Sequence, residues 1–298
     1  MDGFLNINKP AGKTSFQIVT FVRKFSGERR TGHGGTLDPA ATGVLPICVG
    51  QATRLVEFVV EGGKTYRAEI ELGKSTDTYD ALGQVTETSD ISHITRESIE
   101  NALSAFRGVI EQTPPMYSAV KHRGVPLYRA ARKGLVVPRK ARRVEFSGLE
   151  ILEWTSPVLV LHIDCGRGAY IRSLAHDLGE RLSCGAHLKY LMRIKSGPFH
   201  IDSAVSMPEL EKAASEDRLK EYLYPLDIAV RHLPSVVLEE GEGKAVVHGR
   251  PIDLKERGCS THALCRAYAE DGRLLALISY DAEQASWRPK KVLAKAAA

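Results

Sequence analysis

Strict alternation of apolar and polar side chains marks residues 64–72, where Tyr66, Ala68, Ile70 and Leu72 share one face and Arg67, Glu69 and Glu71 the other. That period of two predicts a half-buried strand with Tyr66 pointing inward near one end. Residues 4–8 alternate more briefly and run into Lys9-Pro10, which must end the strand because proline has no ladder donor. Residues 44–49 form a short apolar run, and residues 158–165 read as a strand buried toward its start. Helical spacing occurs at Ile18, Val19, Val22 and Phe25, with Ser15 as the expected N-cap and Gly27 just past the end. It recurs at Ile99, Ala102, Leu103 and Phe106, between Thr95 as cap and Gly108 as terminator. A third set, Leu174, Ala175, Leu178 and Leu182, follows the turn Gly166-Arg167-Gly168 and places Arg172 at a strand-to-helix junction.

Residues 225–234, with a proline at each end, read as a domain boundary. Beyond it, short β-like runs at 236–238, 264–268 and 274–280, a tight turn at Glu270-Asp271-Gly272-Arg273 and a closing segment at 287–292 predict a compact β module. Strands interleaved with helices predict an α+β protein. With 298 residues, 43% of them hydrophobic and 26% charged, the composition is that of a soluble globular chain. Met1-Asp2-Gly3-Phe4-Leu5 lacks the basic start of a signal peptide and no apolar run reaches membrane-spanning length, so the expected location is the cytoplasm, with no membrane partner. Five cysteines without a CxxC pair read as reduced thiols, and ten histidines without a zinc-type spacing predict no metal.

Charge changes the picture more than composition does. Lys121, Arg123, Arg129, Arg132, Lys133, Arg139, Lys140, Arg142 and Arg143 lie between positions 121 and 143 with no acid among them, so this window carries +9 and the rest of the chain 5 − 9 = −4. A solvated helix face normally interleaves both signs. One basic arm on a neutral-to-acidic body is the footprint of a polyanion, most simply nucleic acid, and Tyr117 and Tyr128 within it are placed to stack on nucleotides or to pack locally.

The candidate chemistry centres on Thr31-Gly32-His33-Gly34-Gly35-Thr36-Leu37-Asp38-Pro39-Ala40-Ala41-Thr42-Gly43. Glycines let this backbone approach a ligand closely, while Pro39 restricts Asp38 to extended geometry, so one carboxylate is held still among small residues. No further acid stands beside it for a magnesium-dependent aspartyl transfer, no lysine completes a phosphate loop, and no second carboxylate is evident for glycoside hydrolysis. In the polar stretch 75–83, Asp77 and Asp80 fit either a turn or a cleft.

Gly32-His33-x-Gly35-x-Leu37-Asp38-Pro39-x-Ala41-Thr42-Gly43, Lys9-Pro10, Tyr66, Pro115-Met116-Tyr117-Ser118-Ala119-Val120-Lys121 and Gly168-x-Tyr170-Ile171-Arg172 together resemble the TruB family of tRNA pseudouridine synthases. The resemblance covers about residues 3–230, and the tail more loosely resembles a PUA domain. It implies a catalytic domain at 1–230 with a large mixed, mainly antiparallel sheet flanked by helices and loops, a basic RNA-binding insertion at about 114–143, and a small β-rich PUA-like domain at 231–298. It further implies isomerisation of uridine 55 in the tRNA T loop, without cofactor, by a monomer needing no obligatory protein partner. Asp38, Tyr66 and Arg172 would be catalytic: Asp38 attacks C1′ or removes a sugar proton, Arg172 keeps it ionised, and Tyr66 stacks on the base. His33 would fill the stack vacated by a flipped uridine, and Leu191 would lie beneath the base. Lys9 and the arm residues Lys121, Arg123, Arg132, Arg139, Lys140, Arg142 and Arg143 would contact substrate. Two other readings are a guide-RNA-dependent member of the superfamily and an RNA-binding or tRNA-folding protein in which Asp38 merely shapes a turn.

Overall fold

The computed structural model describes residues 1–118, 120–122, 124–131, 133–135, 137–254 and 264–294. The chain opens with β1 (Gly3–Lys9) and α1 (Ser15–Ser26), and then β2 (Thr31–His33) and β3 (Thr42–Val49) bracket the glycine-rich loop. A 3-10 turn and α2 (Val56–Glu61) lead to β4 (Lys64–Leu72), the hairpin β5 (Lys74–Thr76) and β6 (Val85–Thr88), α3 (Arg96–Ser104) and β7 (Gly108–Gln112). The basic arm holds β8 (Lys121–His122), β9 (Val125–Pro126) and α4 (Leu127–Ala131). The long hairpin β10 (Arg142–Thr155) and β11 (Val158–Cys165) comes next, then α5 (Ile171–Arg181), β12 (Ala186–Ser196), β13 (Phe199–His200), β14 (Val205–Ser206) and α6 (Met207–Ser215). The tail contributes β15 (Ser235–Val237), α7 (Glu240–Val247), β16 (Cys265–Tyr268), β17 (Leu274–Asp281) and β18 (Ser286–Val292).

The large sheet runs β14-β1-β3-β12-β4-β11-β10-β7, with β2 and β13 paired to β3 and β12. The β1/β14 and β3/β12 pairs are parallel and the rest antiparallel, so the expected mixed, mainly antiparallel sheet is what the chain forms. β4 sits at its centre, and Tyr66, Ala68, Ile70 and Leu72 are buried as the alternation predicts. Alternation along β1 and β3 divides two cores. Leu5, Ile7, Leu45 and Ile47 join the face covered by α1 and α5, while Phe4, Val44 and Cys48 join Leu55, Val230, Leu277 and Leu293 on the other. At about 1.5–3 kcal/mol for each fully buried large apolar side chain, both faces are strongly driven to close. The tail sheet, β15-β16-β17-β18, has its own core around Leu238, Val246, Ala276 and Trp287.

Several local expectations change in ways that matter for the site. The N-cap of α1 is Thr14, in a capping box with Gln17; Ser15 turns inward instead, its hydroxyl accepting from Leu37 N at 2.9 Å and donating to Leu37 O at 3.0 Å. Gly27 ends α1 in the left-handed conformation as expected, but Phe25 is 41% exposed and leaves the buried face. α3 stops at Ser104, and Gly108 opens β7 rather than closing the helix. The tail carries α7, a helix that the β-only reading of the module omitted. Cys48, Cys165 and Cys184 are buried free thiols, whereas Cys265 is disulfide-bonded, which corrects the expectation of reduced thiols throughout.

Candidate active site

The loop between β2 and β3 is held from beneath by two buried cations, each of which donates to its carbonyls and to those of neighbouring segments. Lys9 is fully buried at the end of β1, and its ammonium donates to Pro10 O at 2.8 Å, Lys13 O at 2.7 Å and Pro39 O at 3.1 Å. Three acceptors for three N–H groups leave none for a substrate, so the expectation that Lys9 binds substrate is corrected: it clamps the residue directly behind Asp38. Burial, partly offset by the charge of Asp38, lowers the Lys9 pKa to about 8.

A second buried cation was missed by sequence reasoning. Arg193 on β12 is 1% exposed, and it donates from Nε to Val44 O at 2.7 Å, from Nη2 to Gly35 O at 3.1 Å and from Nη1 to Thr36 O at 3.4 Å. The guanidinium therefore grips both flanks of the loop, and Arg193 stands in register with Tyr66 on β4. β12 approaches β3 so closely that a Cβ at Gly43, whose φ is 96°, would collide with the Arg193 backbone. Only glycine fits there. The signal in sequence is an arginine inside an otherwise strand-like run, Leu191-Met192-Arg193-Ile194, where a surface position would not require burial.

On this platform Asp38 is 39% exposed at the side chain and faces Arg172. Arg172 Nε lies 2.9 Å from Asp38 Oδ2 as an ion-pair contact without hydrogen-bond alignment, and the aligned bond is Nη2 to Oδ1 at 3.3 Å. Arg172 is itself fixed. Nη2 donates to Tyr117 O at 2.8 Å, Nη1 donates to Thr78 O at 3.3 Å, and Nη1 lies 3.4 Å from Asp80 Oδ2. Asp80 is thus the cleft acid of the 75–83 stretch, while Asp77 closes the turn by accepting from Gln84 N at 2.9 Å. Burial raises the Asp38 pKa above its ordinary value; Arg172 opposes this, Asp80 adds to it, and Lys9 weakly opposes it. The carboxylate is a basic one, with a strong cation beside it.

Tyr66 is 7% exposed, and burial raises its hydroxyl pKa, so it stays protonated through the neutral range. Leu191 and Tyr66 belong to the same apolar cluster as Leu37 and Ala41, which flank Asp38. His33 is half-buried at the end of β2, and its pKa is lowered by burial and then by Arg193, leaving an uncharged ring at neutral pH with Nδ1 buried and unpartnered. In the arm, Lys140, Arg142 and Arg143 are exposed with no ion pair among the described residues, and Arg139 donates to Pro114 O at 3.1 Å across the arm's base. Arg123 and Arg132 lie outside the described residues, as does the Lys121 side chain.

Because Asp80 raises the Asp38 pKa, its removal has a definite sign. With the Asp38 anion as the expected reactive form, kcat/KM should fall as pH drops through the raised pKa; Asp80→Asn is expected to move that acid limb to lower pH and to lower the plateau, since Arg172 loses an anchor. An acid limb that stays in place or moves to higher pH would disprove the coupling.

The pattern of the TruB family pseudouridylate synthase N-terminal domain matches residues 23–171, and that of the tRNA pseudouridylate synthase B C-terminal domain matches residues 172–231. A protein named tRNA pseudouridine synthase B from Dehalococcoides mccartyi is 47% identical over 292 residues, covering 98% of this chain and 96% of that protein. The chain belongs to the TruB family. Another TruB relative of the same name, from Pelotomaculum thermopropionicum, is 40% identical over the whole of this chain and 98% of its own length. Among solved structures, a Cbf5-Nop10-Gar1 complex matches with a TM-score of 0.74 and 27% identity, covering 99% of this chain and 85% of that one. An H/ACA RNP bound to a substrate RNA containing 2′-deoxyuridine matches with a TM-score of 0.74 and 25% identity, over 99% of this chain and 86% of that one. The enzyme is a pseudouridine synthase with the TruB fold.

Proposed function

We propose that the enzyme isomerises uridine 55 in the T loop of tRNA to pseudouridine, in the cytoplasm, as a monomer without cofactor, metal or obligatory protein partner. The observation that carries this reading is the Asp38–Arg172 couple on the loop clamped by Lys9 and Arg193. The names of the relatives at 40–47% identity support tRNA as the substrate and favour the stand-alone reading over a guide-RNA-dependent one.

In this mechanism the target uridine leaves the T-loop stack, at a cost of about a few kcal/mol, and the uncharged His33 ring fills the gap. The base enters between Tyr66 and Leu191. Asp38, kept ionised and aimed by Arg172, attacks C1′ or removes a sugar proton; the N-glycosidic bond breaks, the base turns, and C5 bonds to C1′ with loss of the C5 proton. The C5 proton passes to solvent, with the Tyr66 phenol, which keeps its own proton in the neutral range, as a hydrogen-bonding relay. The exposed cations of residues 114–143 hold phosphates, and the 231–298 module acts as a PUA-like RNA-binding domain.

Purified protein with EDTA and a naked tRNA transcript labelled with tritium at uridine C5 tests this. Tritium release that disappears in a transcript carrying cytidine at position 55 is expected. Absence of release would favour an RNA-binding protein, and release only with added RNA or protein would favour a guided enzyme. Neutralising Arg139, Lys140, Arg142 and Arg143 together is expected to weaken transcript binding and to reduce the slope of log K against log salt by about 2–3. An unchanged slope would remove the arm from the phosphate interface.

A further inference from the structure

Thr78 and Asp80 both reach Arg172, and the residue between them gives the turn its shape. Tyr79 has φ 64°, the left-handed region, where a bulky side chain is a rare occupant and asparagine or glycine sits more easily. Its ring lies flat on the imidazole of His176, with centroids 3.9 Å apart and planes 6° from parallel. His176 stands four residues beyond Arg172 on α5, so both side chains leave one face of the helix a turn apart. Three consecutive turn residues therefore meet two helix residues: Thr78 by its carbonyl and Asp80 by its carboxylate at Arg172, and Tyr79 by its ring at His176. The other side of the turn is tied to β12, where Leu188 N donates to Tyr79 O and Ala81 N to Leu188 O, both at 3.0 Å. Nδ1 of His176 is buried without a hydrogen-bond partner, so the ring face is what this imidazole contributes.

We propose that the Tyr79–His176 stack is a positioning pair for the Arg172–Asp38 couple, holding residues 77–83 in the conformation that presents Thr78 O and Asp80 to the guanidinium. Neither ring touches the reacting groups. Without the stack, only the backbone bonds of the turn oppose the disfavoured conformation of Tyr79; the turn loosens, Asp80 withdraws, and Arg172 is free to rotate off Asp38. The inference rests on the reading of Asp38 as the catalytic carboxylate.

The test uses Tyr79→Asn, which tolerates the left-handed backbone but has no ring, together with His176→Ala, His176→Phe and the Tyr79→Asn/His176→Ala double variant. Single-turnover tritium release at saturating enzyme and the Kd for transcript are measured well below each variant's melting temperature. Each single loss is expected to slow release about tenfold with Kd within about twofold of the parent. The double variant should be no slower than the slower single one, and His176→Phe should recover most of the rate. A parental rate in either ring-deleted variant would overturn the proposal. So would a raised Kd with a parental rate at saturation, which would make the pair an RNA contact, or a loss that phenylalanine fails to rescue. An active Asp38→Asn enzyme would instead topple the catalytic reading; an inactive Asp38→Asn beside a parental Tyr79→Asn would remove only the positioning role.

Discussion

Asp38→Asn is expected to lower the single-turnover rate by at least about 10³-fold, to bind transcript no more weakly than the parent, and to melt at a higher temperature. The first effect follows from removing the group that attacks or deprotonates the sugar. The stability gain follows from the raised pKa. Burial lifts the folded-state pKa of Asp38 above its unfolded value, so the native state binds the extra proton in the interval between them. Stability therefore falls as pH climbs from the ordinary carboxylate value through the raised one, where the penalty of the ion sets in. Asparagine is neutral at every pH and removes that penalty, while Arg172 keeps Asp80, Thr78 O and Tyr117 O. Thermal melts at pH 7 beside tritium release decide the matter. A variant that loses activity, affinity and stability together would make Asp38 a structural turn residue.

Arg193→Met is expected to cost about 3 kcal/mol of stability or more, at about 1–3 kcal/mol for each buried carbonyl left without its donor. Three carbonyls, of Val44, Gly35 and Thr36, lose their donor inside a site that water does not readily replace. A lower denaturant midpoint with an unchanged m-value is the measurement, and a parental midpoint would refute the clamp. Arg193→Lys should fall between the two, because a single ammonium on a shorter reach cannot serve acceptors on both flanks of the loop. Turnover should fall in both variants, since the clamped loop positions Asp38.

The strands were legible where one face is wet: the alternation at Lys64–Leu72 and the apolar run at Val158–Cys165 match their observed bounds. Arg172 and Asp38 could be singled out because a glycine turn and an Asp-Pro step leave local marks. Arg193 left only a faint one, an arginine in a strand-like run, because its value lies in which strands β12 separates, a matter of pairing between residues some 150 positions apart. Asp80 and Asp77 look alike in sequence, and only the approach of α5 distinguishes them. Lys9 reads, by the family resemblance, as a substrate contact, until three carbonyls are seen to converge on it. α7 was hidden by Gly241 and Gly243, which weaken the helical pattern that packing against Leu275 restores.

The place of β12 in the sheet has a consequence for biosynthesis. β3, which carries the Asp38 loop, and β4, which carries Tyr66, are near in sequence yet are not neighbours in the sheet; β12 lies between them. A nascent chain that has cleared the ribosome only as far as α5 already contains Asp38, Tyr66 and Arg172, but its two half-sheets have no strand to join them. The late-arriving β12 is the keystone, and ladders of such long sequence separation form slowly. Polypeptides that end before it therefore carry Asp38, Tyr66 and Arg172 on two half-sheets with nothing to hold them in one cleft.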